Sequence, residues 1–131
     1  MTLDQLMFIR EGQPTDTHFI CGTWLPGLYY GNPFYREIDR VAFFENYIIA
    51  VQYILKKSHV LIACLNEDPD VILGYAVFNG NVLHWVYVKK PWRNIGIAKK
   101  LVPIDIETVT HLTTVGKDII KHSKIFNPFK I

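Results

Sequence analysis

The residues best suited to chemistry follow one another between positions 82 and 98. The apolar run from Val82 to Val88 predicts a buried strand, and the basic turn Lys89-Lys90-Pro91-Trp92 follows it. We expect a helix to start at Asn94, within Arg93-Asn94-Ile95-Gly96-Ile97-Ala98. A helix N-terminus offers unpaired N–H groups, and the small side chains of Gly96 and Ala98 let a phosphate approach the backbone. The stretch therefore predicts a diphosphate site, to which Arg93 adds a charged donor.

A strand, a basic turn and an Arg-x-x-Gly-x-Ala helix start together resemble the acetyl-CoA signature of the GCN5-related N-acetyltransferase (GNAT) superfamily. The motif covers residues 82–102, and the order of elements is similar over most of the chain, which also resembles small acetyltransferase-like proteins of tailed phages. The resemblance implies that acetyl-CoA pairs its pantetheine arm with Trp85, Val86, Tyr87 and Val88. It implies that the diphosphate lies on Arg93, Asn94, Ile95, Gly96, Ile97 and Ala98. The competing interpretation is that Gly96 only allows tight helix packing and Arg93 is a solvated charge.

Length and composition predict a single domain over residues 1–131. Half of the residues are hydrophobic and a fifth are charged, as in ordinary globular proteins. No apolar run approaches the roughly 18–20 residues that span a bilayer, so no membrane association is expected. The first residues lack the basic region of a secretory signal. Cys21 and Cys64 lie in apolar surroundings and are expected to be buried free thiols, which favours a cytoplasmic location.

Charge is distributed unevenly along the chain. Residues 1–88 carry five basic and nine acidic side chains, a net charge of −4, whereas residues 89–131 carry nine and three, a net charge of +6. A basic half beside a phosphate motif suits a polyanion such as coenzyme A. The acidic half suits an amine acceptor, or else its charges only solvate exposed faces.

The pattern of apolar residues and breakers predicts the elements that position this motif. Strands are expected over residues 6–10, 59–65, 71–78, 82–88, 106–112 and 124–129. Helices are expected from residue 16 until Pro26 ends the first, and over 35–57, 94–102 and 113–122. Thr15 or Asp16 can cap the first helix, and Asn79-Gly80 predicts a hairpin. The order β-α-α-β-β-β-α-β-α-β indicates an α/β (α+β) fold with a mixed, mostly antiparallel sheet and helices on both faces, which is also the GNAT order.

The resemblance implies direct transfer of an acetyl group from acetyl-CoA to an amine, with a base for the amine and an acid for the thiolate. Family members often take the acid from a tyrosine on the helix after the fifth strand, but all seven tyrosines here lie at or before Tyr87. The fourth strand carries no carboxylate either. His84 and His111 are the remaining candidates, because imidazole titrates near neutral pH, although each can equally be structural. Ser123 is a weak candidate acid.

The acceptor site is the part that the sequence describes least. In the family it lies beside the loop between the first two helices, here an aromatic stretch from Leu28 to Tyr35. These rings can wall a pocket for a cationic amine or can belong to the core. Glu37 and Asp39 can pair with an amine or simply start a helix. Asn127 can hold the pantetheine or the acceptor by its amide, or can be a turn residue before Pro128. A second copy of the chain, in a homodimer, could complete the cleft.

Three functions compete. The leading one is an N-acetyltransferase acting on a small amine or a protein amino group. The second is a non-catalytic acyl-CoA-binding or protein-interaction module on the same fold, which the missing tyrosine and carboxylate keep open. Nucleic-acid binding is disfavoured because the lysines are scattered and no aromatic platform alternates with them. No spacing of His, Cys and Asp suits a zinc site, so no metal is expected.

Overall fold

A computed structural model of the chain describes residues 2–113 and 124–131. Its helices are α1 (Leu3–Leu6), α2 (Thr17–Gly31), α3 (Arg40–Lys56) and α4 (Ile97–Leu101). Its strands are β1 (Met7–Glu11), β2 (His59–Leu65), β3 (Ile72–Asn79), β4 (Val82–Val88), β5 (Thr108–Val109) and β6 (Ile125–Phe126). Short 3₁₀ turns occupy Pro14–Asp16, Tyr35–Glu37 and Lys90–Trp92.

The strands form one sheet in sequence order. β1 to β4 pair antiparallel, whereas β4 with β5 and β5 with β6 pair parallel. The predicted mixed, mostly antiparallel sheet is therefore confirmed. The β3–β4 hairpin turns at Gly80, whose φ of +57° is accessible to glycine at little cost.

Two apolar layers cover the two faces of the sheet. α2 and α3 pack on one face, around buried side chains that include Trp24, Leu28, Ile54 and Tyr75. α1 and α4 cover the other face, around Leu73, Ala76, Ile97 and Leu101. The expectation of helices on both faces is confirmed. None of the helices in the described part of the chain is long and apolar enough to cross a membrane.

The prediction that Pro26 ends the first helix is wrong. α2 runs through Pro26 to Gly31. Proline removes one helical hydrogen bond and costs about 3 kcal/mol in an isolated helix. Here Trp24, Leu25 and Leu28 are buried against the sheet, and the tertiary packing of this apolar face outweighs the local cost.

The helix expected from Asn94 starts three residues later, at Ile97. Asn94 and Gly96 have φ of +66° and +98°, which interrupt any helix before Ile97. α4 ends at Leu101 because Val102, which precedes Pro103, is extended. The diphosphate stretch is therefore a loop with a one-turn helix behind it.

Three further boundaries differ from the expectation. α3 begins at Arg40, where the Asp39 carboxylate accepts from the Ala42 N–H at 3.0 Å. Asp16 precedes α2 without capping it, because its carboxylate binds Arg10 and the Gln13 N–H instead. The fifth strand pairs over two residues only. The helix expected after Thr113, and Ser123, lie outside the described residues.

Candidate active site

β4 is paired on both sides at its start and on one side at its end. β5 pairs with Val82 and Leu83, and the last bond between the two segments runs from the Thr110 N–H to the Leu83 C=O at 3.1 Å. From Trp85 to Val88, β4 pairs with β3 alone; no other described strand adjoins it. Among the described strands, the second half of β4 therefore has an unpaired edge, which we call the open edge.

The antiparallel ladder fixes which backbone groups face this edge. The Lys89 N–H donates to the Leu73 C=O at 2.8 Å, so the alternation makes Tyr87 a hydrogen-bonded partner of β3. The N–H and C=O groups of Val86 and Val88 consequently point away from β3. Arg93 Nε donates to the Val88 C=O at 2.8 Å. An extended ligand can add to this edge as a further strand.

Glycine is required at one position beside this edge. A Cβ on Gly74 would lie 2.5 Å from the carbonyl oxygen of Tyr87 and 3.2 Å from the Cα of Val88. Because both neighbours are backbone atoms, they cannot rotate away. Gly74 thus lets β3 approach β4 closely opposite Val88, at the end of the open edge.

The loop before α4 is exposed and basic. The side chains of Arg93, Asn94 and Ile95 are exposed, whereas Ile97 is buried in the layer under α4. Two residues with positive φ, Asn94 and Gly96, turn the backbone sharply here. Arg93 is tied to β4 by its Nε and so connects the loop to the open edge.

His84 occupies an irregularity in β4. Trp85 pairs with Val77 and Leu83 pairs with Phe78, so His84 is an extra residue without a partner in the ladder, a β-bulge. A bulge bends the strand and redirects a side chain. The His84 ring is buried, with 2% of the residue exposed, and lies one residue before the open edge.

Four side chains form an uninterrupted hydrogen-bonded series, which we call the quartet: His84, Thr110, His111 and Tyr47. His84 Nδ1 lies 2.9 Å from Thr110 Oγ1, and Thr110 Oγ1 lies 2.8 Å from His111 Nδ1. His111 Nε2 lies 2.6 Å from the Tyr47 hydroxyl. The quartet therefore joins β4, the end of β5 and α3.

The quartet is uncharged at neutral pH. Burial lowers the pKa of His84 to about 4, and the positive charge of Lys57 acts in the same direction. Burial also lowers the pKa of His111 to about 4. Burial raises the pKa of the Tyr47 hydroxyl above its usual range. The two imidazoles and the phenol are thus neutral, and the quartet carries no net charge.

Aromatic rings and one amide hold the quartet in place. The Trp24 ring meets the His111 ring edge-on at 5.5 Å and stacks on Trp85 at 5.5 Å. Asn32, just after α2, donates from Nδ2 to the Leu112 C=O at 3.0 Å. The segment that carries His111 is thereby attached to α2.

The aromatic stretch around the α2–α3 connection divides into two groups. Tyr29 and Phe43 are buried in the core, and the Phe43 ring stacks on Tyr47 at 5.1 Å. Tyr30 and Phe34 are exposed. Part of this stretch is therefore core, and part is exposed.

Asn127 lies in a turn after β6. Its N–H donates to the Val109 C=O at 2.9 Å, and its Oδ1 accepts from the Phe129 N–H at 3.1 Å. A separate groove of about 640 Å³, lined by residues such as Gly12, Ser58 and His59, lies where β1 ends and β2 begins. It is away from the Trp85–Val88 edge. In the described segments no group of His, Cys, Asp and Glu side chains is arranged to hold a metal ion.

Comparison with known proteins places this geometry in a fold class. No protein-family model and no curated protein matches the chain. A GCN5-related N-acetyltransferase from Rhodopseudomonas palustris, also described as a class-II aminotransferase, matches with a TM-score of 0.52 and 19% identity over 73% of this chain and 61% of its own. The chain has the fold of the GCN5-related N-acetyltransferases.

Two further solved structures match with lower TM-scores. A "possible acetyltransferase" from Clostridium difficile 630 gives a TM-score of 0.49 at 21% identity, over 72% of this chain and 65% of its own. The aminoglycoside N-acetyltransferase AAC(6')-Iy, in complex with CoA, gives 0.46 at 21% identity, over 72% and 63%. In all three cases the chain spans less than two thirds of the solved protein's length.

The structure brings most of the expected site residues to one region and adds two that sequence reasoning missed. Arg93 ties the loop that ends at Ala98 to the edge from Trp85 to Val88, and both histidines belong to the quartet, which begins one residue before that edge. Thr110 and Tyr47 were not predicted. In the sequence, Tyr47 is only a tyrosine on the inward-facing side of a predicted helix. Its partner His111 is 64 residues away, so no local pattern connects the two.

Proposed function

We propose that this protein is an acetyl-CoA-dependent N-acetyltransferase that transfers the acetyl group directly to an amine. The observation that carries the proposal is the open edge of β4: no described strand pairs with β4 on that side after Leu83, so the outward N–H and C=O groups of Val86 are left for a ligand in a chain with the GNAT fold.

The cofactor would bind along β4 and the loop that follows it. The pantetheine arm would add to the edge formed by Trp85, Val86, Tyr87 and Val88, through backbone hydrogen bonds. The diphosphate would lie on the loop of Arg93, Asn94, Ile95, Gly96, Ile97 and Ala98, where the positive charge of Arg93 and the lysines at 89, 90, 99 and 100 attract an anion. The turn at Asn127 would border this proposed cofactor site.

Catalysis would use the neutral imidazoles of His84 and His111. The amine must be neutral to attack the thioester carbonyl, and a positioned acid or base typically contributes roughly 10²–10⁴-fold to such a reaction. The acceptor would enter beside the exposed rings of Tyr30 and Phe34, in the acidic half of the chain.

Calorimetry tests the cofactor first. We expect the purified protein to bind acetyl-CoA and CoA with micromolar affinity. Arg93→Glu should weaken binding at least tenfold, because a carboxylate replaces the charged donor beside the diphosphate. Arg36→Glu is the matched control, since it makes the same charge change on an exposed arginine of the Tyr35–Glu37 turn. Equal affinity of both variants for acetyl-CoA would contradict the assignment of the loop.

Turnover tests the reaction. Release of free CoA thiol is followed with acetyl-CoA and a panel of primary amines and short peptides with free N-termini. Amine-dependent thiol release supports the acetyltransferase. Cofactor binding with no release for any acceptor would instead favour the non-catalytic acyl-CoA-binding module.

A further inference from the structure

The quartet joins three elements of the fold through side chains alone. Its contacts of 2.9, 2.8 and 2.6 Å are all within ordinary hydrogen-bond distances, and each internal atom can both give and receive a proton. Such a series is more than a set of packed polar groups, because it offers a continuous route for protons between its two ends.

The route is directional because Thr110 has a single hydroxyl proton. When Thr110 donates to His84 Nδ1, it accepts from His111 Nδ1–H, and Tyr47 then donates to His111 Nε2. In the opposite arrangement His84 Nδ1–H donates to Thr110, Thr110 donates to His111 Nδ1, and His111 Nε2–H donates to Tyr47. In both arrangements the two imidazoles are opposite tautomers.

The two ends of the quartet lie on different elements of the fold. Tyr47 is on α3, in ring contact with Phe43 and Tyr35 beside the α2–α3 connection. His84 is in the bulge of β4, one residue before the open edge. One end thus adjoins the proposed acceptor side and the other adjoins the proposed cofactor side.

We propose that the quartet is a proton relay in which the Tyr47 hydroxyl takes the proton that the acceptor amine loses and His84 Nε2 supplies the proton that the CoA thiolate gains. The inference rests on the proposed acetyltransferase function. Tyr47 and His84 are the catalytic residues, and Thr110 and His111 act through them as positioning residues.

The bonds and protons balance within one turnover. The nitrogen of the neutral amine forms a bond to the thioester carbonyl carbon, and the C–S bond breaks with its electron pair on sulfur. One N–H proton moves to Tyr47 Oη, the Tyr47 proton moves to His111 Nε2, and the His111 Nδ1 proton moves to Thr110. The Thr110 proton moves to His84 Nδ1, and the His84 Nε2 proton moves to sulfur. The products are an amide and CoA thiol, and the relay is left in its opposite arrangement. It returns to the first arrangement when the same shifts run backwards, with His84 Nε2 regaining a proton from water and Tyr47 Oη losing one to water.

The relay explains how the chain can work without a later tyrosine. All seven tyrosines lie at or before Tyr87, so no tyrosine follows the fifth strand. A single series that accepts a proton at one end and releases one at the other replaces a separate base and acid. When the proton shifts occur together, every member of the quartet starts and ends neutral, so no charge is left in a buried site.

The first test measures tautomers and needs neither cofactor nor acceptor. Nitrogen-15 NMR of the histidine rings should show one of His84 and His111 protonated at Nδ1 and the other at Nε2. Thr110→Val replaces the hydroxyl by a methyl group, so the two rings should no longer be held in opposite tautomers. Thr110→Ser keeps the hydroxyl and should keep the tautomers opposite. The same tautomer on both rings of the wild-type protein would overturn the relay, whatever the turnover.

The second test measures turnover with phenethylamine, a primary amine suited to an aromatic wall, and with the best acceptor of the amine panel. Thr110→Val and Tyr47→Phe should each lower kcat by roughly 10²-fold or more, with the affinity for acetyl-CoA unchanged. Thr110→Ser should restore most of the loss. Thr108→Val is the matched control, because Thr108 is a buried threonine on β5, two residues before Thr110 and outside the quartet, and the kcat of this variant should stay at the wild-type value.

The outcomes separate the relay from the proposed function. An active wild-type protein whose Thr110→Val variant keeps full kcat overturns the relay alone. A wild-type protein that acetylates none of the amines overturns the acetyltransferase and the role of the relay with it. Loss of kcat in Thr110→Val, rescue in Thr110→Ser and a solvent isotope effect that involves several protons support the relay.

Discussion

The indole rings of Trp24 and Trp85 stack face to face, with centroids 5.5 Å apart and planes 4° from parallel. Trp24 is on α2, and Trp85 is the residue after His84 on β4. The edge of Trp24 also supports the His111 ring. One aromatic stack therefore connects the first long helix, the open edge of the sheet and the quartet.

Truncation of this stack should destabilise the protein strongly. Trp24 is completely buried, so Trp24→Ala should lower the free energy of unfolding by about 3–5 kcal/mol. Urea denaturation followed by circular dichroism measures the loss. Ile49→Ala on α3 is the control, because Ile49 is 65% exposed and its loss should change stability by about 0.5 kcal/mol or less. A similar small change for Trp24→Ala would contradict the packing described for α2.

Replacement by alanine should change the stability of the protein in opposite directions at two glycines. Gly74→Ala places a methyl group 2.5 Å from the Tyr87 carbonyl oxygen, so β3 and β4 must separate, and we expect a loss of about 2–4 kcal/mol. Gly22→Ala adds a methyl group to α2 with no atom within 4 Å and should stabilise the protein by about 0.5–1 kcal/mol. Thermal unfolding of the two variants measures both changes in stability. A Gly74→Ala protein as stable as the wild type would contradict the close contact between β3 and β4.

The buried carboxylate of Asp16 should be sensitive to substitution and to acid. It accepts from both terminal nitrogens of Arg10, at 2.8 and 2.9 Å, and from the Gln13 N–H. These bonds, that of Arg10 above all, hold the pKa of Asp16 below its usual value. Asp16→Asn should cost about 2–3 kcal/mol at pH 7.

Because its folded pKa is depressed, Asp16 contributes stability above the unfolded pKa and loses it as the pH falls through the folded value. The difference in unfolding free energy between the wild-type protein and Asp16→Asn should therefore shrink below about pH 4. A difference that stays constant from pH 7 to pH 3 would rule out this ion pair as its cause.

The buried imidazole of His84 should make the free energy of unfolding decrease over a higher pH range than the carboxylate of Asp16 does. Its pKa of about 4 lies below the unfolded value, so the unfolded chain binds more protons between these two values. Stability should be constant above about pH 6.5 and should decrease as the pH falls toward 4, by an amount on the order of 3 kcal/mol.

Unfolding free energies of wild-type, His84→Asn and His59→Gln proteins across pH 4 to 8 test this expectation. His84→Asn should make the slope shallower but not remove it, because the pKa of His111 is also about 4. His59→Gln, which removes an exposed histidine outside the quartet, should keep the wild-type slope. If His84→Asn has the wild-type slope, another group is responsible for the acid sensitivity.

Local pattern predicted most of the elements of this fold. The strands at 59–65 and 82–88, the hairpin at Asn79-Gly80 and the mixed sheet follow from β-branched runs, turn residues and connection lengths, which act over a few residues. The helix boundaries predicted at Pro26 and Asn94 were wrong. Tertiary packing keeps α2 helical through Pro26, and the left-handed backbone at Asn94 delays the start of α4.

The candidate site also has one part that the sequence indicated and one part that only the tertiary structure showed. The edge of β4 and the loop at Arg93 are contiguous in sequence, so their residue types indicated them together, and His84 and His111 stood out by their chemistry. Only the tertiary structure showed that Thr110 joins the two imidazoles and that Tyr47 completes the quartet. Hydrogen bonds between α3, β4 and β5 depend on how the helix packs on the open sheet, and no local propensity encodes a contact between residues 47 and 111.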